Sequence, residues 1–117
     1  MTNQNSALGK LTLDPIAKAI GLDYRHFNSP IGIKGLCRVD GRHVEFLVVD
    51  SIRPGHGLFR DFIAACKLEF DRIDIWHVTS HILFSCLPRY GFRPWQEKKW
   101  IASQGKFEHV EGYRWDK

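Results

Sequence analysis

The sequence predicts an α/β (α+β) fold: a mixed, mostly antiparallel central sheet with one parallel strand-helix-strand unit and helices on its faces. Three observations predict it. From Val44 to Phe70, a β-branched and aromatic run (Phe46-Leu47-Val48-Val49) ends in Asp50, crosses a glycine-rich turn and opens an amphipathic helix. After that helix comes another apolar run, Ile73 to Val78. Strands on either side of a helix pair in parallel, with a right-handed crossover. Finally, Asp40-Gly41 and Ser103-Gln104-Gly105 each sit between strand-like segments and signal antiparallel hairpins.

Each element has its own reason. Met1 to Lys10 is polar and without periodicity, so it reads as a tail. Asp14 can cap a helix whose first turn takes Pro15; Ile16, Ala19 and Ile20 form its stripe and Gly21 stops it. Residues 11–30 are then an N-terminal helix and linker, with Tyr24 and Phe27 free to pack, and residues 31–117 are the sheet core of a single domain. Ile31 to Val39 and Arg42 to Asp50 are the first hairpin, with Phe46 to Val49 expected to be buried on both faces. In the central helix, Phe59, Phe62, Ile63, Cys66 and Phe70 recur at helical spacing and face the core. Thr79 or Ser80 caps a second helix that Pro88 ends. Phe92 to Ala102 and Lys106 to Trp115 close the sheet as a hairpin. By alternation, Trp95 faces away from Trp100, while Phe107, Tyr113 and Trp115 share a face. A core this small does not cover both faces of a terminal hairpin, so some of these rings are expected in a homo-oligomer or larger assembly.

Composition narrows the function classes. The 117 residues are 44% hydrophobic and 13% aromatic, a globular composition. No apolar run approaches the roughly 20 residues of a membrane helix, and no signal-peptide pattern opens the chain, so a cytoplasmic protein without a membrane partner is expected. Cys37, Cys66 and Cys86 are odd in number and embedded in apolar segments, as reduced core residues are. The net charge of +4 favours an anionic partner: a polyphosphate cofactor, a nucleic acid and an acidic protein all fit. Lys98-Lys99 beside Trp95 and Trp100 has the pattern of single-strand nucleic-acid stacking, but a half-exposed edge hairpin produces the same pattern and is preferred. His77 and His81 have metal-like spacing, yet they straddle a strand end and a helix cap with no third ligand, so no metal is expected.

The turn carries the chemistry. Gly55-His56-Gly57 leaves the backbone bare where the helix begins, and the first N–H groups of a helix lack internal partners. Such a turn can hold a phosphate, with His56 beside it; a tight connection produces the same pattern. The strand order, this turn, and a helix ending in Tyr90-Gly91-Phe92 some 33 residues later resemble the GNAT superfamily of acyl-CoA-dependent N-acyltransferases, over about Lys34 to Trp100.

The resemblance implies a cofactor site at Val49, Arg53, Gly55, His56, Gly57 and Leu58, whose amides hold the CoA pyrophosphate of acetyl-CoA, the co-substrate. The family pattern is Q/R-x-x-G-x-G/A; here Ile52 stands at its first position and the arginine comes one later, at Arg53. The tyrosine that protonates the departing thiolate falls at Leu87, leaving Tyr90 as the nearest hydroxyl. A general base must deprotonate the amine, and Glu45 lies where several family members carry a glutamate. His43 on the same strand face and His77 on the neighbouring strand are the other candidates. The implied function is an N-acetyltransferase acting on an amine of a small molecule or protein. The alternative is a GNAT-like interaction or structural module without catalysis, since very small proteins of this build occur in bacteriophage genomes and some are virion-associated.

Overall fold

The computed structural model describes residues 6–51, 57–76, 85–101 and 104–117. They form an α+β arrangement around one seven-stranded sheet. In chain order the elements are β1 (Lys10–Leu13), α1 (Pro15–Ala19), β2 (Arg25–Asn28), β3 (Ile33–Asp40), β4 (His43–Ser51), α2 (Leu58–Glu69), β5 (Arg72–Trp76), a 3-10 turn (Leu87–Tyr90), β6 (Arg93–Ile101) and β7 (Lys106–Asp116). Across the sheet the order is β1-β2-β3-β4-β5-β7-β6. The β4–β5 pair is parallel and the other neighbours are antiparallel. Both expected hairpins are present: Asp40 pairs with His43, and Ile101 with Lys106.

The amphipathic stripe of α2 buries Phe62, Ile63 and Cys66 against one face of the sheet. Phe27, Phe46 and Phe62 form a triangle of rings with centroids 5.2, 5.6 and 5.7 Å apart. Each such ring removed from water contributes on the order of 2–3 kcal/mol. Val44, Ile73, Ile75 and Tyr113 extend this core along the same face.

Several expectations need correction. The presumed tail is pinned: Ala7 and Leu8 are buried, and Glu69 accepts hydrogen bonds from the Ala7 amide (3.0 Å) and the Ser6 hydroxyl (3.1 Å). The sheet begins at Lys10, so much of residues 11–30 is strand, and the helix there is only Pro15–Ala19. Its four-residue flanking strands were too short to give a periodic signal. In that helix Ala17 is the buried residue, while Ile16 and Ile20 are 75% and 59% exposed, the reverse of the expected stripe. Pro88 lies inside the 3-10 turn, and Gly91 ends it. The residues of the second predicted helix before Ser85 lie outside the described residues.

Strand β4 is not buried on both faces from Phe46 to Val49. Cys37 pairs with Phe46 and Leu36 with Val48, so Leu47 is an extra residue, a β-bulge. Burial on both faces belongs to Val44, Glu45 and Phe46, and Val48 is 51% exposed. Opposite the bulge, β3 and β4 come so close that a Cβ at Gly35 would collide with the Val48 carbonyl oxygen. Gly35→Ala is therefore expected to destabilise the fold by at least the roughly 1–3 kcal/mol typical of overpacking. Ile16→Ala, at an exposed position, should change stability by less than about 0.5 kcal/mol. Urea denaturation of the two variants checks both values, and a large loss for Ile16→Ala would contradict its outward placement.

Candidate functional site

The face of the sheet opposite α2 is polar at its centre. Alternation sends His43 and Glu45 of β4, Asp74 and Trp76 of β5, Arg114 of β7, and Glu97 and Lys99 of β6 to that side. Asp74 is fully buried. Its carboxylate accepts from Arg114 Nε (2.6 Å) and Nη2 (3.0 Å) and meets His43 Nε2 at 2.8 Å. Arg72 Nε approaches to 3.5 Å without a hydrogen bond. Arg114 in turn stacks on the Trp95 ring, 3.9 Å from its centroid, and reaches Glu97 at 3.5 Å.

Glu45 is 5% exposed beside this cluster. One oxygen accepts from Lys99 Nζ at 2.8 Å and Trp76 Nε1 at 3.3 Å; the other accepts from Arg38 Nη1 at 3.2 Å. Lys99 also lies 4.6 Å over the Trp76 ring. Burial pushes the Glu45 carboxyl up, but the hydrogen bond and charge of Lys99, then Arg38 and His43, outweigh it and hold the pKa below its ordinary value. The residue is thus a fixed carboxylate. It opens onto a cleft of about 270 Å³ lined by Leu22, Tyr24, Arg38 and Lys99.

His43, Glu45 and Asp74 offer ligand atoms within 4.8 Å of one another, which is metal-like geometry. Their oxygens, however, are already taken by Arg114, Lys99, Arg38 and Trp76, so a cation would have to displace two buried or half-buried positive charges. The Cys37 and Cys66 thiols are no nucleophiles: burial pushes Cys37 up to about 12 and Cys66 upward as well.

The predicted site residues divide. Glu45 and His43 share a face, as alternation requires. Tyr90 is on the other side, its ring 6.1 Å from Phe59 in the first turn of α2 and its carbonyl accepting from Lys67. Leu87, where the resemblance places a tyrosine, is fully buried core. Val49 and Leu58 are half-buried against the core under α2. Gly57 is the N-cap of α2, left-handed at φ +71°, with no side chain among the described residues capping the helix. Any other residue at Gly57 would be strained. Arg53, Gly55, His56, His77 and His81 lie outside the described residues.

Sequence reasoning passed over Asp74, Trp76, Lys99, Arg38 and Arg114. A signal existed: Glu45, Asp74 and Arg114 are each flanked on both sides by apolar residues within a strand. Lys98 and Lys99, adjacent in sequence, part company, since Lys99 turns to Glu45 while Lys98 is exposed on the other face.

Comparison with protein-family models, with curated proteins and with solved structures finds no match. No helix among the described residues is long and apolar enough to cross a membrane.

The Glu45 cluster predicts a pH dependence. A carboxyl whose pKa is lowered by folding stabilises the fold above its ordinary value, near 4.5, and loses that contribution as pH falls toward the lowered value. Glu45→Gln removes the term. The difference in melting temperature between wild type and Glu45→Gln should be constant above about pH 5.5 and shrink below about pH 4.5. A difference that stays flat down to pH 3 would mean the carboxylate is not held by these cations.

Proposed function

We propose that the chain is a small GNAT-like N-acyltransferase that binds acetyl-CoA and transfers the acetyl group to an amine. The observation that carries this reading is the parallel β4–β5 pair. Its ladder stops at Phe46–Ile75, although β4 runs on to Ser51 and β5 to Trp76. Ligands in sheets of this kind sit beyond the carboxyl ends of parallel strands, beside the following helix N-terminus. That helix end, at Gly57, has no side-chain cap among the described residues to occupy its amides. The strand order, the bulge in β4 and the glycine turn support the same reading.

In this mechanism the amides after Gly57, with Arg53 and Arg60, hold the cofactor phosphates. Arg60 lies beside Gly57: a Cβ there would sit 3.3 Å from its Nη2. The amine lone pair attacks the thioester carbon, the C–N bond forms, and the C–S bond breaks. The amine proton passes through water toward Glu45, which as a fixed carboxylate orients that water more than it competes for the proton. Tyr90, near the first turn of α2, or solvent returns a proton to the thiolate.

A second reading has its own support. Both Glu45 oxygens are saturated by Lys99, Trp76 and Arg38, as befits a structural carboxylate. Trp100 and Phe107, whose rings touch at 5.1 Å, are 56% and 65% exposed, so an aromatic surface is left for a partner. On this reading the fold is an interaction module.

Calorimetry with acetyl-CoA separates the two. Wild type should bind; Arg60→Glu, reversing an exposed charge at the helix start, and Arg53→Ala should each lose about 10- to 100-fold, the worth of a charge-assisted hydrogen bond. Glu45→Gln should keep its affinity and lose about 10²-fold in transfer rate. Absence of acetyl-CoA binding by the wild type overturns the enzyme reading; binding without turnover on a broad amine panel favours the module.

A further inference from the structure

Beyond the bulge, the same sheet face that carries Glu45 opens into a second cavity, of about 430 Å³, over β2, β3 and β4. Its floor is apolar. Leu36 and Val48 face each other across the two strands, with Gly35 and Phe27 also lining the cavity. Val48 is 51% exposed there, beyond the point where the β4–β5 ladder ends. At the rim, Lys34 and Asp50 stand opposite each other in register. Opposite charges so placed normally pair. Here neither side chain makes an ion pair or hydrogen bond among the described residues.

We propose that this trough binds a free α-amino acid with an apolar side chain, and that this amino acid is the acceptor in the transfer proposed above, on which the acceptor role rests. The charge pattern selects the occupant. An α-amino acid carries an ammonium and a carboxylate on one carbon, matching Asp50 and Lys34, and its apolar side chain covers Leu36 and Val48. A fatty acid meets Lys34 but is repelled by Asp50. A polyamine is repelled by Lys34 and has no use for the apolar floor, and a nucleic acid backbone is disfavoured by Asp50. Position agrees as well: past the bulge Val48 and Asp50 point to the same side as Glu45, so the bound amine lies along the strand from that carboxylate. In the reaction the amino nitrogen, having lost a proton to water, attacks the thioester carbon of the acyl-CoA. The new C–N bond is the N-acyl amide, the broken C–S bond releases the thiolate of CoA, and a second amine proton goes to solvent while one stays on the amide nitrogen. The product is an N-acyl amino acid.

Titration calorimetry of the full chain, with and without acetyl-CoA, tests this using L-leucine, L-leucine methyl ester and 4-methylpentanoate. Leucine should bind, and both analogues, lacking one charge each, should bind at least about tenfold more weakly, the loss of one charged contact. Lys34→Gln should erase the preference for leucine over its ester. Asp50→Asn should erase the preference over 4-methylpentanoate, and both variants are surface changes expected to fold. No leucine binding, equal affinity for leucine and its ester, or preferences unchanged in both variants overturns the proposal. Leucine binding with these preferences but no N-acetyl-leucine formed from acetyl-CoA keeps the amino-acid site and overturns the acyltransfer reading; acetylation of other amines without leucine binding does the opposite.

Discussion

Asp74 is the residue on which the central strands depend. It lies at the middle of the sheet with no exposure to solvent, and a bare carboxylate there would cost far more than the fold could offset. Arg114 answers it from β7 with two hydrogen bonds, and His43 answers from β4. The parallel neighbour on one side and the antiparallel neighbour on the other are thereby tied to the same carboxylate. Buried pairs of this kind add little net stability over an apolar core, but removing one partner alone typically costs about 3–5 kcal/mol. Their effect is on register: a strand shifted by two residues keeps its hydrophobic alternation yet leaves Asp74 without Arg114.

Around this pair the sheet divides its labour. One face is sealed by α2 and the phenylalanine triangle, where packing sets the energy and nothing polar is at stake. On the other, Arg38, Glu45, Lys99, Trp76, Arg114 and Glu97 form a continuous polar layer whose members satisfy one another. A preorganised layer of that kind orients water and substrate dipoles without rearranging, which suits either catalysis or a rigid recognition surface. Helix α1 is too short to cover this face, and so the two clefts stay open.

What the sequence made legible follows from the length and periodicity of each segment. The central helix, both hairpins and the parallel β5 had strong local signals: a five-residue apolar stripe, Asp-Gly and Gly turns, and a helix between two strands. Strands β1 and β2 had none, since four residues of mixed polarity gain their conformation from pairing with β3 rather than from their own preferences. The candidate site was half legible. Glu45 was singled out by the family resemblance, and His43 because alternate residues of one strand share a face. Arg38 stands directly opposite Glu45 across the Asp40-Gly41 hairpin, so the hairpin register could have placed it. Lys99, however, comes from a strand 54 residues away, and no local rule brings it to Glu45. Ile16 and Ile20 misled because a helical stripe identifies an apolar face but does not say whether the sheet will cover it.

The extra residue at Leu47 also sets the parity of everything after it. Before it, even-numbered residues of β4 face the core; after it, odd-numbered ones do, which is why Val49 packs inward while Asp50 stands at the rim. A chain lacking that one residue would keep the composition of the strand and most of its hydrophobicity. It would also keep its facings, because Val48 would follow Phe46 directly in unbroken alternation. A chain that kept Leu47 but paired without the bulge would instead turn Asp50 toward the core and Val49 toward solvent. An alignment that slips by one position across β4 is equally invisible to hydrophobicity and equally wrong about every residue up to the glycine turn. Comparison of this chain with any distant relative should therefore be anchored on Glu45 upstream and Gly57 downstream, with the gap, if there is one, placed at position 47.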